Sequence, residues 1–383
     1  MKDLLNLESY NYNLPKELIA QNVIEPADEC KLLYCKWNNI KDLIFKDIEH
    51  LIWENDVLFL NNSKVIKARI KSDENINFKF IWQDWNISEC NKCEIFFLKE
   101  KWKNEFEALI YPWKKFKIWK QIDINGYKFE IIWNTEEWRV IKYLWEESVI
   151  EVFDKLGNMP LPPYIEYKKE KEAAYQPIFA QTSWSVAAPT ASLHFTDKLL
   201  ENLKEKWVKL MYSTLHIWLG TFKVVDVENI QNYDIHSETI QIPLNIFEKI
   251  WNLKENWKNL IAVWTTATRI LESLPYLYKK LDINNKYFDK LTKNITLDQV
   301  NKFISWDILI NNWIISFDTK LFIYPWFKYK LIDKLITNFH LPKSSLLMLV
   351  SAFMWYENMI KTYEHAIKYK YRFFSFWDAM MIE

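Results

Sequence analysis

The sequence predicts an α/β domain and a separate all-β, barrel-like domain, and three observations predict it. From about residue 152 apolar strand-like runs alternate with amphipathic helical segments. Between about 69 and 151 only short alternating runs occur, cut by turn residues. The 383 residues exceed one simple domain, with length taken as a soft prior. Half the residues are hydrophobic and 26% are charged, the composition of a folded chain. Fifty basic residues balance fifty acidic ones. That excludes a globally basic nucleic-acid coat protein and leaves room for a local basic face.

Taken in order, Val57-Leu58-Phe59-Leu60 reads as a buried strand and Val65 to Ile70 as an alternating one, joined by the polar turn Asn61-Asn62-Ser63. Asn55 suits a left-handed turn position. In the next block Glu94–Leu98, Phe106–Tyr111, Tyr127–Ile132 and Arg139–Leu144 read as strands. Asn125-Gly126 is a strong hairpin signal, and Trp102 and Trp138 fall at further hairpin tips. Beyond 152, Thr196 caps a helix through Leu199, Leu203 and Lys206, and Trp207 takes the position after it, where glycine is usual. Lys209–Ile217, Ile261–Val263, Phe317–Tyr324 and Lys334–Thr337 read as strands. Ser345–Phe353 and Tyr356–Tyr369 read as helices.

The composition is abnormal in two residue types. The chain has 3 Gly and 21 Trp, where ordinary usage of roughly 7% would give about 27 Gly. Folded chains need glycine wherever φ must be positive. The sum of the two counts is near the glycine expectation, and the tryptophans fall at turn and cap positions. A stop codon reassigned to glycine, but translated on paper as tryptophan, produces this pattern; a truly Trp-rich protein is the alternative. Only four arginines occur, Arg69, Arg139, Arg269 and Arg372, and a retained Arg is informative because Lys cannot reproduce its planar fork.

Four cysteines make no secreted disulfide framework at this length. By number they would suffice for a four-Cys zinc site, but buried thiols are the preferred reading, and no metal is expected. The start Met1-Lys2-Asp3-Leu4 carries an early acid and no apolar run, so no signal peptide is expected. The most apolar stretch, Ser345–Phe353, is far shorter than the roughly 20 residues of a membrane helix. A cytoplasmic protein without membrane contact is expected.

Six polar clusters fall at strand ends and loop-to-helix junctions. Trp184 to Phe195 includes Thr190 and His194, with small residues and Pro that let a ligand approach the backbone; a structural loop with a capping histidine fits as well. Thr214 to Phe222 includes His216 and Thr221, and with Gly at 218 it becomes a glycine-lined turn. In His236-Ser237-Glu238 the imidazole and carboxylate share a face if the segment is extended. They would work as base and orienter, or lie on a solvated strand face. Val263 to Arg269 reads strand, turn, helix start, with Thr265, Thr266 and the Arg269 fork placed for an anion. Thr337 to Ser344 brings Asn338, His340 and Lys343 together. Tyr371 to Asp378 interleaves aromatics with Arg372 and Asp378, which suits base stacking or a C-terminal core strand.

Together these segments closely resemble the S-adenosylmethionine:tRNA ribosyltransferase-isomerase family of queuosine biosynthesis. The resemblance runs from Tyr12-Asn13-Leu14-Pro15 and Leu18-Ile19-Ala20-Gln21 through Asp56–Val65, Ala68-Arg69, Gly157–Ile165 and Tyr175-Gln176. It continues into Ala187-Ala188-Pro189-Thr190-Ala191 and Thr337–Pro342. The family pattern has glycine where this chain has Trp184, Trp218, Trp264, Trp326 and Trp377, and also at Ser192 and Asn55. The resemblance implies a β-barrel over 69–151 inserted in a main α/β domain made of 1–68 and 152–383. It implies transfer and isomerisation of the ribosyl part of S-adenosylmethionine onto 7-aminomethyl-7-deazaguanine at the tRNA wobble position, with adenine and methionine released. S-adenosylmethionine is then a co-substrate, no cofactor is needed, tRNA is the partner, and a monomer is expected.

Such chemistry needs a base for the acidic carbon beside the sulfonium, a proton for departing adenine and a neutral attacking amine. His194, His216, His236, Glu238 and His340 are the catalytic candidates. Thr190, Thr221, Thr265, Thr266, Arg269, Asn338, Arg372 and Asp378 are the substrate-binding ones. The choice of base among the histidines stays open. A non-catalytic tRNA-binding protein of the same fold is the alternative. A conventional methyltransferase fits poorly, because restoring Gly at every Trp creates no G-x-G-x-x-G.

Overall fold

The computed structural model describes residues 2–37, 39–81, 87–135, 138–162, 165–217, 225–283, 286–373, 376 and 378–383. It divides into two compact units. One is Met1–Ser63, Pro163–Thr182 and Ala188–Glu383; the other is Lys64–Pro162 with Ser183–Ala187.

The chain opens with β1 (Lys31–Lys36), β2 (Asn39–Ile44) and β3 (Asp56–Asn61). After β4 (Ser63–Val65) come β5 (Arg69–Lys71), β6 (Phe78–Ile81), β7 (Ile87–Cys90), β8 (Glu94–Trp102), β9 (Glu105–Tyr111), β10 (Gln121–Ile124), β11 (Tyr127–Asn134), β12 (Arg139–Tyr143) and α1 (Val149–Leu156). Helix α2 (Lys171–Ala174) and β13 (Thr182–Ser185), which pairs with β4, follow. The chain continues with α3 (Asp197–Glu205), β14 (Lys209–His216), β15 (Glu238–Pro243), α4 (Leu244–Glu255), β16 (Asn259–Val263) and α5 (Trp264–Lys280). It ends with α6 (Lys286–Thr292), α7 (Leu297–Phe303), β17 (Leu309–Asn311), β18 (Ile314–Thr319), β19 (Ile332–Asn338), α8 (Ser345–Met354), α9 (Tyr356–Lys368) and β20 (Ala379–Ile382).

The first unit is mixed α/β. Its ten-stranded sheet has the order β17-β18-β15-β14-β3-β16-β19-β20-β1-β2. At its centre β14, β3, β16 and β19 run parallel, so their carboxyl ends share one edge. Every residue of β3 is buried, which is why Val57–Leu60 reads as an unbroken apolar run. Helix α5 packs across these four parallel strands and is buried from Trp264 to Tyr278.

The second unit holds an eight-stranded antiparallel sheet, β5-β8-β9-β12-β11-β10-β6-β7, with β5 and β7 at its edges. Alternating burial along β9 and β11 turns Phe106 and Phe129 inward onto Phe97 of β8, and Phe97 and Phe106 pack on Phe153 of α1. The Asn125-Gly126 hairpin forms as expected, with φ of 50° and 94°, the two positive angles of a type I′ turn. Gly157 ends α1 so close to the Lys67 carbonyl that a Cβ there would lie 1.8 Å from its oxygen.

Several expectations are corrected. Val65–Ile70 is no continuous strand, because Ile66 N–H bonds to the Ser185 carbonyl and Ala68 N–H closes back on Ile66. The run Phe317–Tyr324 stops being strand at Thr319, where its continuation turns to carry the Leu321 carbonyl to Arg269. Cys90 and Cys93 are joined by a disulfide, and Cys30 and Cys35 are buried free thiols. Asn55, Trp102 and Trp138 are not among the residues with positive φ. Asn55 instead accepts hydrogen bonds from Lys258 and Asn259.

The tryptophans carry the backbone anomaly. Nine of the seventeen described ones have positive φ: Trp37, Trp119, Trp184, Trp207, Trp257, Trp264, Trp313, Trp326 and Trp355. Trp184, Trp264 and Trp326, three of the five tryptophans at positions where the family pattern has glycine, have φ of 90°, 77° and 72°; Trp218 and Trp377 lie outside the described residues. Thirteen of the seventeen are exposed, Trp257 at 91%, although tryptophan is highly buried on average. Trp207 and Trp257 follow α3 and α4. After each, the next N–H reaches back to Leu203 or Leu253, and the indole-bearing residue's own N–H to Lys204 or Lys254. This is the two-bond helix end that glycine ordinarily closes.

Candidate active site

The parallel strands deliver polar residues to their shared carboxyl edge. Asn61 ends β3 and fixes it: its Oδ1 accepts the Ser63 and Leu215 N–H groups, and its Nδ2 donates to the Leu215 carbonyl and to Thr266 Oγ1. The end of β3 is thus tied to the end of β14, where His216 is buried, and to the first turn of α5, which carries Thr265 and Thr266. Thr214 donates to Asn62 at 2.7 Å. The sequence showed Asn61-Asn62-Ser63 as a turn only; the missed signal is polar residues closing a fully apolar parallel strand.

A second group gathers at the end of β19. Asn338 Oδ1 accepts from the Thr190 hydroxyl at 2.9 Å, while Nδ2 donates to His194 Nε2 at 2.9 Å and to the Asp378 carbonyl. This pattern assigns the His194 proton to Nδ1, which faces Cys30 Sγ at 3.3 Å. Burial, aided by Arg372, lowers the His194 pKa to about 3. Burial, followed by Asp378, pushes the Cys30 thiol up. Thiol and imidazole are therefore both neutral, and this Cys–His–Asn arrangement lacks the thiolate that a cysteine nucleophile needs. Asp378 is fully buried; its carboxylate accepts from Lys31 and Arg372 backbone N–H groups and from both Nε and Nη2 of Arg372. From sequence Cys30 stands only as one of four cysteines, because its partner His194 lies 164 positions away in the chain.

A third group joins β15 to α5. His236 Nε2 lies 3.2 Å from Glu238 Oε1, so the two share a face as the alternation predicts. Glu238 Oε2 accepts from Arg269 Nη1. Arg269 Nε donates to the Leu321 carbonyl. Glu238 and Arg269 are both buried.

His340 stands apart from these groups. Its Nε2 pairs with Thr337 Oγ1 at 3.0 Å, its N–H donates to Tyr363 Oη, and its carbonyl accepts from Tyr12. Burial lowers its pKa to about 3. Thr221 lies outside the described residues. Also unforeseen is Glu272 of α5, whose buried carboxylate accepts three successive N–H groups, Lys330, Leu331 and Ile332, at the entry to β19. Among the described residues no three His, Cys, Asp or Glu side chains are grouped to hold a metal ion, and no helix is long and apolar enough to cross a membrane.

The chain is thus an α/β protein whose polar residues gather where open α/β sheets bind ligands, beyond the carboxyl ends of the strands. The family model described as "Queuosine biosynthesis protein" matches residues 7–382, and the chain belongs to this family. It is 36% identical over 383 residues to the S-adenosylmethionine:tRNA ribosyltransferase-isomerase of Halothermothrix orenii, covering 99% of this chain and all of that protein. It is 38% identical over 386 residues to the protein of the same name from a Sulfurihydrogenibium species, again over 99% and 100%. The crystal structure of S-adenosylmethionine tRNA ribosyltransferase from Thermotoga maritima matches with a TM-score of 0.50 at 27% identity, over 98% of this chain and 100% of that one.

Proposed function

We propose that this chain is an S-adenosylmethionine:tRNA ribosyltransferase-isomerase of queuosine biosynthesis. It moves the ribosyl part of S-adenosylmethionine onto the aminomethyl group of 7-aminomethyl-7-deazaguanine at the tRNA wobble position. The product is epoxyqueuosine-tRNA, and adenine and methionine leave. The observation that carries this is end-to-end similarity, at 36–38% identity, to relatives that bear the name. The polar edge of the parallel strands supplies a site for it.

In this reading residues 69–151 are a β-rich module inserted in the catalytic domain, S-adenosylmethionine is consumed as co-substrate without a further cofactor, and the protein works as a monomer. His194, buried and neutral with both ring nitrogens engaged, and His340, buried and neutral with Nε2 on Thr337, hold backbone and neighbours in place. The proton-transfer work falls to His216 at the end of β14 and to the His236–Glu238 pair.

The test is adenine release by the full chain supplied with S-adenosylmethionine and tRNA bearing 7-aminomethyl-7-deazaguanine. Adenine should appear only with that tRNA. Its absence, in a protein that melts cooperatively and binds both substrates, would overturn the activity.

A further inference from the structure

The backbone of β3 leaves the sheet before its neighbour β14 does. Its register with β14 stops at Asn61 and Ser213, and Asn62 N–H adds a last rung to the Ser213 carbonyl at 3.0 Å. The Asn62 carbonyl is already turned elsewhere and accepts from the Gln181 and Thr182 N–H groups. Strand β14 runs on to His216, paired there with β15. The Asn61 side chain takes over on the β3 side. Its Oδ1 accepts the Leu215 N–H and its Nδ2 donates to the Leu215 carbonyl, both at 3.1 Å. One amide thus grips both polar groups of a single residue, as a neighbouring peptide in a ladder does. Its other two bonds go to Ser63 N–H at 3.1 Å and Thr266 Oγ1 at 3.2 Å. These partners fix which end of the amide is oxygen. They also use both its donors and both its lone pairs, so Asn61, wholly buried, has no hydrogen bond left for a substrate.

An apolar side chain at this position would leave the Leu215 N–H and carbonyl without these bonds, and unmade buried bonds are costly. A buried polar group that is fully satisfied rigidifies what it joins. Here it joins the residue before His216 to the first turn of α5, where Thr265 and Thr266 stand. We propose that Asn61 is a positioning residue for the transfer reaction: it acts as the missing rung of β3 and sets His216 relative to the start of α5. It works through His216, and the proposal rests on the proton-transfer role given to that residue above.

A double-mutant cycle in the full chain tests it. Asn61→Asp keeps both acceptor bonds, loses both donor bonds and sets a carboxylate oxygen against the Leu215 carbonyl. Its kcat for tRNA-dependent adenine release should fall on the order of a hundredfold, the cost of a misplaced group, with KM for S-adenosylmethionine changed far less. In a His216→Gln chain the same substitution should cost little more, because the group it positions is gone. An undiminished kcat in Asn61→Asp would overturn the proposal. So would full activity of His216→Gln alone, or a full further loss in the double variant, which is what a residue that only stabilises the fold produces. A second readout needs neither turnover nor a variant. The Leu215 N–H should resist hydrogen exchange in the unaltered chain, and exchange at the rate of an unstructured amide would equally overturn the proposal. If Leu215 is protected and Asn61→Asp removes that protection, but the unaltered chain releases no adenine, the placement stands and the activity falls.

Discussion

His194 and His340 set an acid limit on the molecule. Burial holds both near a pKa of 3 in the folded chain, against 6.5 when free. A lowered histidine pKa leaves the unfolded chain with more bound protons below 6.5, so their stability contribution is complete above 6.5. It is lost progressively as pH falls toward 3. Melting temperature should therefore drop between pH 7 and pH 5. His340→Gln, which keeps a polar group beside Thr337, should flatten that slope by the share of about one proton. An unaltered slope in the variant would show that His340 does not carry this linkage. At this scale the sequence was legible where chemistry is local. The His236–Glu238 pairing follows from two-residue alternation, whereas the bond from His194 to Cys30 spans 164 positions and no local pattern announces it.

At the scale of elements, strands and helices beyond residue 152 stood out because apolar runs there are long and flanked by caps: Thr196 at α3 and Ser344 at α8 both accept from the third residue of their helix. Edges were less legible. Whether a run such as Val65–Ile70 stays extended depends on Ser185, which is distant in sequence. Helix ends also carry the clearest energetic test of the tryptophans. Left-handed backbone costs a residue with a Cβ roughly 1–2 kcal/mol, and Trp207 and Trp257 have φ of 63° and 57° with their indoles almost wholly in solvent. Trp207→Gly and Trp257→Gly should each raise unfolding free energy in denaturant by about 1 kcal/mol, where glycine after a helix loses nothing by packing. No gain from either substitution would remove the strain argument at these ends.

For the whole molecule, the mixed α/β and antiparallel sheets were readable in advance because hairpin punctuation and strand–helix alternation are local signals. The order of ten strands was not, since β1 sits beside β20 from the far end of the chain. Nine left-handed tryptophans across two units are too many for a fold with roughly 5–15 kcal/mol to spend, so the natural protein should carry glycine at most of the 21 positions. Intact mass of protein isolated from its own cells should fall well below 46.7 kDa; indole-bearing peptides at 184 and 264 in active enzyme would refute this. The turn at Trp37, between β1 and β2, then acquires a genetic meaning. It is the first of the 21. A host that reads the same triplet as termination would release the chain at Lys36, with β1 made and both of its neighbours, β2 and β20, never synthesised. With glycine at the 21 positions the gene would be tied to the decoding machinery of its own lineage, and heterologous production would have to begin with resynthesis of its codons.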